Sequence, residues 1–236
     1  KASLGVASYR SSLGLTSAIV KEDRKTAGRT AHTTLNHLMK RPMGRLDATL
    51  EASAQFGKNN GLDHEAWAAT VQVGYSPVKT VRAYAEFDAA SGGVRANKSY
   101  SFDPIYASCP LPYGMGTQVG YRNSNQLALG LNAKPSKRLT IDVRAAWIEL
   151  RDPSDAWYDL YGKPNAKPGG TFVDPTGASG SRVGNYAQIE STYQIDKRNS
   201  LSTGFAVFAP GSFIKNQTVG NTRTQSWGFV TYLFKF

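Results

Sequence analysis

Hydrophobic and polar residues alternate with a period of two along most of the chain. The clearest run covers 45–56, where apolar residues at even positions oppose polar and charged residues at odd positions without a break. Similar runs cover 66–75, 81–88, 127–134, 139–147 and 201–208. Because successive side chains point to opposite faces of a β-strand, these runs predict strands with one apolar and one polar face.

The predicted connections are alternately short and long. The short ones contain Pro, Gly, Asn or Asp, which favour tight turns, and lie at 42–44, 76–79, 135–138 and 196–199. The long ones lie at 57–63, 89–124, 151–184 and 210–221. Loops as long as two of these are uncommon in a compact soluble domain. Outer-membrane barrels, in contrast, have short periplasmic turns and longer extracellular loops.

Strand length and aromatic placement favour the same architecture. The runs at 45–56 and 139–150 exceed the ~5–6 residues usual in globular strands and suit the ~9–11 that cross a bilayer. Aromatic residues near the ends of the apolar faces are typical of interface girdles: Phe56, Trp67, Tyr75, Phe87 and Trp147. A soluble β-sandwich would alternate similarly, but the rhythm of turns and loops argues against it. We therefore predict an all-β, antiparallel, up-and-down transmembrane β-barrel in the bacterial outer membrane.

This barrel is expected to be a single domain over residues 1–236, with long extracellular loops at 89–124 and 151–184. The last strand alternates aromatic residues up to Phe236 and resembles the C-terminal strand by which outer-membrane proteins are recognised for assembly. That likeness places the C-terminus in the periplasm.

The predicted strand number is odd. Counting back from Phe236 gives eleven strands, the first a weak one at 2–9. Single-chain bacterial barrels have an even number of strands with both termini periplasmic, so we expect N-terminal strands to be missing. The alternative is a miscounted first strand and a complete ten-stranded barrel, and the alternation at 2–9 is too short to decide.

Several segments together resemble the alginate export porin family of the bacterial outer membrane: 63–68, 86–92, 102–106 and 208–215. The resemblance implies a monomeric, eighteen-stranded barrel, of which these would be the last eleven strands. It also implies a basic lumen that conducts an acidic polysaccharide outwards. Where the family has constriction arginines on late strands, this chain has Ser202, Gly204, Ala206 and Phe208. The channel role is therefore implied more strongly than alginate as its solute.

The chain is strongly basic, with 28 Lys+Arg against 17 Asp+Glu and a net charge of +11. Twelve of its 28 basic residues fall in the short turns or their flanks: Arg10, Arg82, Lys134, Lys235 and the eight predicted mouth residues Lys40, Arg41, Arg45, Lys79, Lys137, Arg138, Lys197 and Arg198. We predict that these eight residues form a basic ring around the periplasmic mouth, which would concentrate a polyanion there.

The lumen wall has two alternative interpretations. Inward-facing Arg82 and Arg144 could continue the basic track as a ring that selects anions, since guanidinium groups bind carboxylates well. The other lumen candidates are Tyr84, Glu86, Asp142 and Lys134. Alternatively, Asp47, Glu51, Glu86 and Asp142 pair with the arginines across strands and make a nearly neutral wall.

Enzymatic and nucleic-acid functions have little support. None of the three histidines lies in a nucleophile-elbow motif. His32 and His37 face opposite sides of one strand, so they cannot bind the same metal ion. His64, beside a loop, is expected at the membrane interface. We expect no catalytic residue, metal or cofactor. The basic residues lie in turns without a recognition helix, so no nucleic acid partner is expected.

Two functions stay open. The first is a passive channel for anionic or polar solutes, among them an acidic oligo- or polysaccharide. The second is a structural barrel that anchors partner proteins, with its lumen plugged by the loops at 89–124 and 151–184. Expected partners are outer-membrane lipid, lipopolysaccharide and the solute, with proteins contacting the extracellular loops or the single cysteine, Cys109.

Overall fold

The computed structural model describes residues 2–10, 15–24, 30–104, 119–218 and 223–235. Eleven long strands form one antiparallel sheet in which each strand pairs with its neighbour in the chain. They are β1 (Ala2–Arg10), β2 (Leu15–Arg24), β3 (Thr30–Met43), β4 (Leu46–Asn59), β5 (Leu62–Val78), β6 (Val81–Ala90), β7 (Ser124–Ala133), β8 (Leu139–Leu150), β9 (Arg182–Gln194), β10 (Asn199–Pro210) and β11 (Gln225–Phe234). The predicted all-β, up-and-down arrangement of eleven strands is confirmed, with β1 and β11 as the edges of the sheet.

The two ends of the sheet differ in their connections. At one end, called the short-turn end, brief turns join β3 to β4, β5 to β6, β7 to β8 and β9 to β10. At the other, called the long-loop end, the segments 91–123 and 151–181 connect β6 to β7 and β8 to β9. A helix, α1 (Ser212–Lys215), follows β10 at this end. No helix of the described segments is long and apolar enough to span a membrane.

One predicted long connection is wrong. The segment 57–63 is mostly strand, because β4 continues to Asn59 and β5 starts at Leu62. Only Asn60 and Gly61 turn the chain, with positive φ of 50° and 83°. An Asn-Gly pair favours the type I′ turn that fits the twist of paired strands, so the hairpin closes within two residues.

The sheet is apolar on its exposed face and polar on its buried face. Leu129 and Phe205 are 50% and 52% exposed, whereas Gln55 and Asp88 are fully buried. This is the reverse of a soluble protein and is typical of a barrel with lipid outside and a polar interior. We call the two surfaces the outer face and the inner face.

Strand β5 shows the dimension of the apolar band. Its outer-face residues run from Tyr75 near the short-turn end to Trp67 near the long-loop end, and both aromatic rings are exposed. Eight residue steps at ~3.3 Å each separate them by about 26 Å along the strand, close to the ~25 Å apolar band of outer-membrane barrels.

The main apolar core lies between the long loops and the inner face. Trp157 of the loop 151–181 is buried and stacks on Phe208 of β10 with ring centroids 6.1 Å apart. Phe172 meets the same indole edge-on at 5.4 Å. Further members of this core come from the strands, α1 and the other loop: Ile148, Leu150, Tyr186, Phe213, Ile214 and Val119. The loops therefore cover the inner face of β8–β10 at the long-loop end.

Candidate solute pathway on the inner face

Arg82 on β6 is held in a bidentate ion pair. Its guanidinium crosses the neighbouring strand β5 to reach Asp47 on β4, with Nε–Oδ2 and Nη2–Oδ1 distances of 2.8 and 2.5 Å. Nη2 also donates to Gln72 Oε1 at 2.7 Å. Gly74 on β5 makes the crossing possible, because a Cβ at that position would overlap both charged groups. Arg82 is thus a paired part of the wall.

Arg144 on β8 is also paired and is more deeply buried than Arg82. Its side chain is 1% exposed, and Nη2 donates to Glu86 Oε1 on β6 at 2.7 Å. Asp88 Oδ2 lies 3.9 Å from the same nitrogen. Tyr84 contacts Arg144 Nη1 at 3.5 Å and lies over Gly130 of the intervening strand β7, where a Cβ would overlap the phenol ring.

Carboxylates outnumber arginines on the inner face of strands β4–β10. The carboxylates are Asp47, Glu51, Glu86, Asp88, Asp142 and Glu190, and the arginines are Arg82 and Arg144. Asp142 lies directly opposite Glu190 in the β8–β9 register, and each carboxylate accepts a hydrogen bond from an amide, Asn132 and Gln188 respectively. These contacts favour the paired-wall interpretation over a continuous ring of free arginines.

The predicted basic ring is gathered at the short-turn end. Lys40, Arg41, Arg45, Lys79, Lys137, Arg138, Lys197 and Arg198 are all exposed there. Backbone hydrogen bonds join successive turns to the next strand, as from Ser76 N to Arg45 O at 2.7 Å and from Gln194 N to Arg138 O at 2.7 Å. Lys134 is predicted in the lumen, but it is exposed and lies just beyond the end of β7, so it belongs to this rim. Alternation predicts the face of the sheet on which a side chain lies, but not its depth along the barrel.

The pattern gave no sign of a polar cluster that fastens the loop 91–104 to the inner face. His32 on β3 lies 3.1 Å from the carboxylate of Asp103. Gln55 on β4 donates to Asp103 O at 2.7 Å and accepts from Asp103 N at 2.9 Å. His64 on β5 lies 3.2 Å from Gln55 Oε1, and its ring centroid is 5.3 Å from that of His32. We call these four residues the loop latch.

The loop latch corrects the expectation for His64. The residue is 3% exposed and lies on the inner face, so it is not an interface histidine. His37, in contrast, is exposed, and lies on the opposite face from His32 as the alternation predicts. Alternation places the strand members of the latch on one face, but the return of Asp103 depends on the folding of a distant loop.

The sheet thus has an apolar outer face, a polar inner face, short turns at one end and inward-folded loops at the other. A family model described as alginate export matches residues 6–229. The chain belongs to this family. No curated protein matches the chain by sequence.

Solved porins share the fold. The chain is similar to the outer membrane protein OprD from Pseudomonas aeruginosa, with a TM-score of 0.59 and 10% identity over 98% of this chain and 58% of OprD. It is also similar to OmpF of Salmonella typhi, solved with daunomycin, with a TM-score of 0.53 and 13% identity over 97% of this chain and 62% of OmpF. The chain thus spans less than two thirds of either porin. Together with the family, these likenesses confirm an outer-membrane β-barrel of the porin type.

The described segments contain no candidate metal site. Within them, no three His, Cys, Asp or Glu side chains are grouped as a metal site. Cys109, which is predicted to contact a partner protein, lies outside the described residues. The expectation that no cofactor is used stays a prediction.

Proposed function

We propose that this member of the alginate export family forms part of the wall of a passive channel for polar and anionic solutes, among them acidic oligosaccharides. The observation that carries the proposal is the inner face, where amides, hydroxyls and paired charges replace the apolar residues of the outer face. Such a lining offers hydrogen bonds to a hydrated solute without holding it tightly. In this proposal the short turns and the C-terminus are periplasmic, and the long loops are extracellular.

The basic ring, and not the two wall arginines, supplies the proposed preference for anions. Arg82 and Arg144 already satisfy carboxylates of the wall. The ring residues are exposed at the mouth, where their summed potential raises the local concentration of an anionic solute. We propose no catalytic step, since the charged groups of the inner face are engaged with their neighbours on the wall.

A second candidate function is a structural barrel whose lumen is plugged, which would serve to anchor partner proteins. The observation that favours it is the packing of both long loops on the inner face, by the loop latch on β3–β5 and by Trp157 on β8–β10. Both functions share the same fold, and ion conduction separates them.

The deciding experiment measures the zero-current potential of the full-length protein in a planar bilayer under a KCl gradient. We expect an anion-preferring conductance that loses its preference when Lys137, Arg138, Lys197 and Arg198 are all changed to Gln. The matched control also removes four positive charges, by changing the exposed long-loop-end residues Lys163, Arg182, Lys215 and Arg223 to Gln, and should keep the preference. A conductance without anion preference would support the channel function but contradict the proposed role in transporting polyanions. No conductance would favour the plugged barrel.

A further inference from the structure

A cavity of about 670 Å³ opens at the long-loop end, apart from the solute pathway. Its lining includes Trp67, Arg95, Tyr100, Asn125 and Arg151. Trp67 belongs to the outer face and marks the upper end of the apolar band on β5. Asn125 also has the outer-face parity of its strand, because it is next but one to the exposed Leu127. The cavity therefore lies where the apolar surface gives way to the headgroup layer.

Arg151 is the first cation of this cavity. It follows β8 directly, is exposed, and places its guanidinium carbon 4.5 Å from the centroid of the Trp67 ring. Its Nη1 donates to Asn125 Oδ1 at 3.3 Å. Among the described residues no carboxylate lies within ion-pair distance of Arg151, so its charge is available to a ligand.

Arg95 is the second cation, and its side chain is 72% exposed. Asp152 accepts one hydrogen bond from Arg95 Nη2 at 2.8 Å, which leaves the other N–H groups of the planar fork free to donate. Burial opposes ionisation of Asp152, but hydrogen bonds from Ser154 and Arg95 outweigh it and hold the pKa of Asp152 below its usual range. The carboxylate therefore stays charged and orients Arg95 over the cavity.

We propose that this cavity binds the phosphorylated sugar headgroup of an outer-leaflet glycolipid, with the phosphate between Arg95 and Arg151. Arginine forks suit phosphate oxygens, and the volume is in the range of pockets that enclose a small ligand and exceeds the needs of a bare ion. Tyr100 and Trp67 line the same cavity and add aromatic surface beside the arginines, and the apolar outer face below Trp67 receives the acyl chains. The inference rests on the proposed orientation, with the long loops outside the cell.

The test uses purified full-length protein in detergent, stripped of lipid and titrated with bisphosphorylated lipid A while bound lipid is counted by native mass spectrometry. We expect the double variant Arg95→Gln/Arg151→Gln to bind roughly tenfold more weakly or worse, since each arginine contributes charge-assisted hydrogen bonds. The control Lys137→Gln/Arg138→Gln removes the same charge at the short-turn end and should bind as the natural protein does. Both variants change exposed residues, and equal melting temperatures in lipid-free detergent verify their folding.

Two further titrations separate a lipid headgroup from a free anion. Lipid A lacking its phosphates should bind as weakly as the double variant binds intact lipid A, and inorganic phosphate should compete only at far higher concentration. Unchanged affinity of the double variant, or inorganic phosphate binding as tightly as lipid A, would overturn the assignment. Conductance of the lipid-free protein is measured separately, so failure of the channel proposal and failure of lipid binding give different results.

Discussion

The inner face contains two regions built from opposite chemistry. The loop-packed region lies at the long-loop end of β8–β10, where Trp157, Phe172 and Phe208 exclude water from an apolar contact. The charged region lies beside it on β4–β9, where Arg82 and Arg144 bind carboxylates from strands two positions away. Both regions meet on β8, which has Ile148 in the first and Arg144 in the second.

The difference shows how one polar-facing side of a sheet can hold loops and still line a channel. Apolar packing needs area and shape but little directional geometry, so it docks a loop of irregular backbone. Buried charges need a partner in a fixed position, so they are placed on paired strands whose register is rigid. The comparison predicts that the loop-packed region controls access and that the charged region controls the stability and ionic character of the wall.

The largest effect is expected for Trp157→Ala in the loop-packed region. Removing a buried indole should cost about 3–5 kcal/mol of packing free energy and release the loop 151–181 from the inner face. We expect higher single-channel conductance and faster proteolysis within that loop. The control is Trp147→Ala on the outer face, where the ring is 42% exposed and no loop is docked. Equal conductance of Trp157→Ala and the natural protein would show that this loop does not limit the pathway.

Arg144→Met tests the charged region. It leaves Glu86 and Asp88 buried without their cation and should lower the free energy of unfolding by about 3 kcal/mol in urea titration. Adding Glu86→Gln should restore part of that loss, because it removes one of the two uncompensated carboxylates. Full stability of the single variant would contradict the paired-wall interpretation.

Asp103→Ala opens the loop latch. It tests whether the polar contacts hold the loop 91–104 on the inner face as strongly as apolar packing holds the loop 151–181. The change removes the carboxylate that lies beside His32 while the backbone contacts to Gln55 persist. We therefore expect the free energy of unfolding to fall by about 1–3 kcal/mol and the conductance to rise less than for Trp157→Ala. The control is Asp103→Asn, which keeps the shape of the side chain and one hydrogen-bonding oxygen. A rise larger than that of Trp157→Ala would reverse the ranking of the two loops.

Gly74→Ala has a more local effect. The added methyl group overlaps Arg82 and Asp47, so the ion pair must separate, at a cost of about 1–2 kcal/mol. The same substitution in an Asp47→Asn background should cost less, because the strong pair is already lost. Additive costs in the two backgrounds, measured by urea unfolding, would mean that Gly74 serves another purpose.

The smallest effect concerns Asp196 in the β9–β10 turn, outside both regions. Hydrogen bonds from the backbone N–H of Arg198 and the side chain of Asn199 lower the pKa of Asp196. A lowered pKa in the folded state stabilises the protein above the ordinary Asp pKa of about 4, and this stabilisation is lost as the pH falls through the folded-state value. We expect Asp196→Asn to be slightly less stable at pH 6 and to show less change between pH 5 and pH 3. Identical pH profiles would rule out this contribution.

The sequence by itself determined the strands and their faces. Alternation is a local property of consecutive side chains, so the eleven strands, the outer-face position of Trp67 and Tyr75, and the inner-face position of Arg82 and Arg144 followed without knowledge of the fold. The basic ring followed for a similar reason, because short turns of an up-and-down sheet all fall at one end. The turn at Asn60 was missed where a loop was expected, although its Asn-Gly pair was a usable signal.

Only the tertiary structure decided which groups meet. Arg82 reaches Asp47, and Arg144 reaches Glu86, across an intervening strand, which requires the register of three strands and a small residue between them. The latch formed by Asp103 and the docking of Trp157 depend on loops that leave the sheet and return to it. Alternation assigns a side chain to a face, but partners at long sequence separation are set by strand order, register and loop closure, and no local pattern records these.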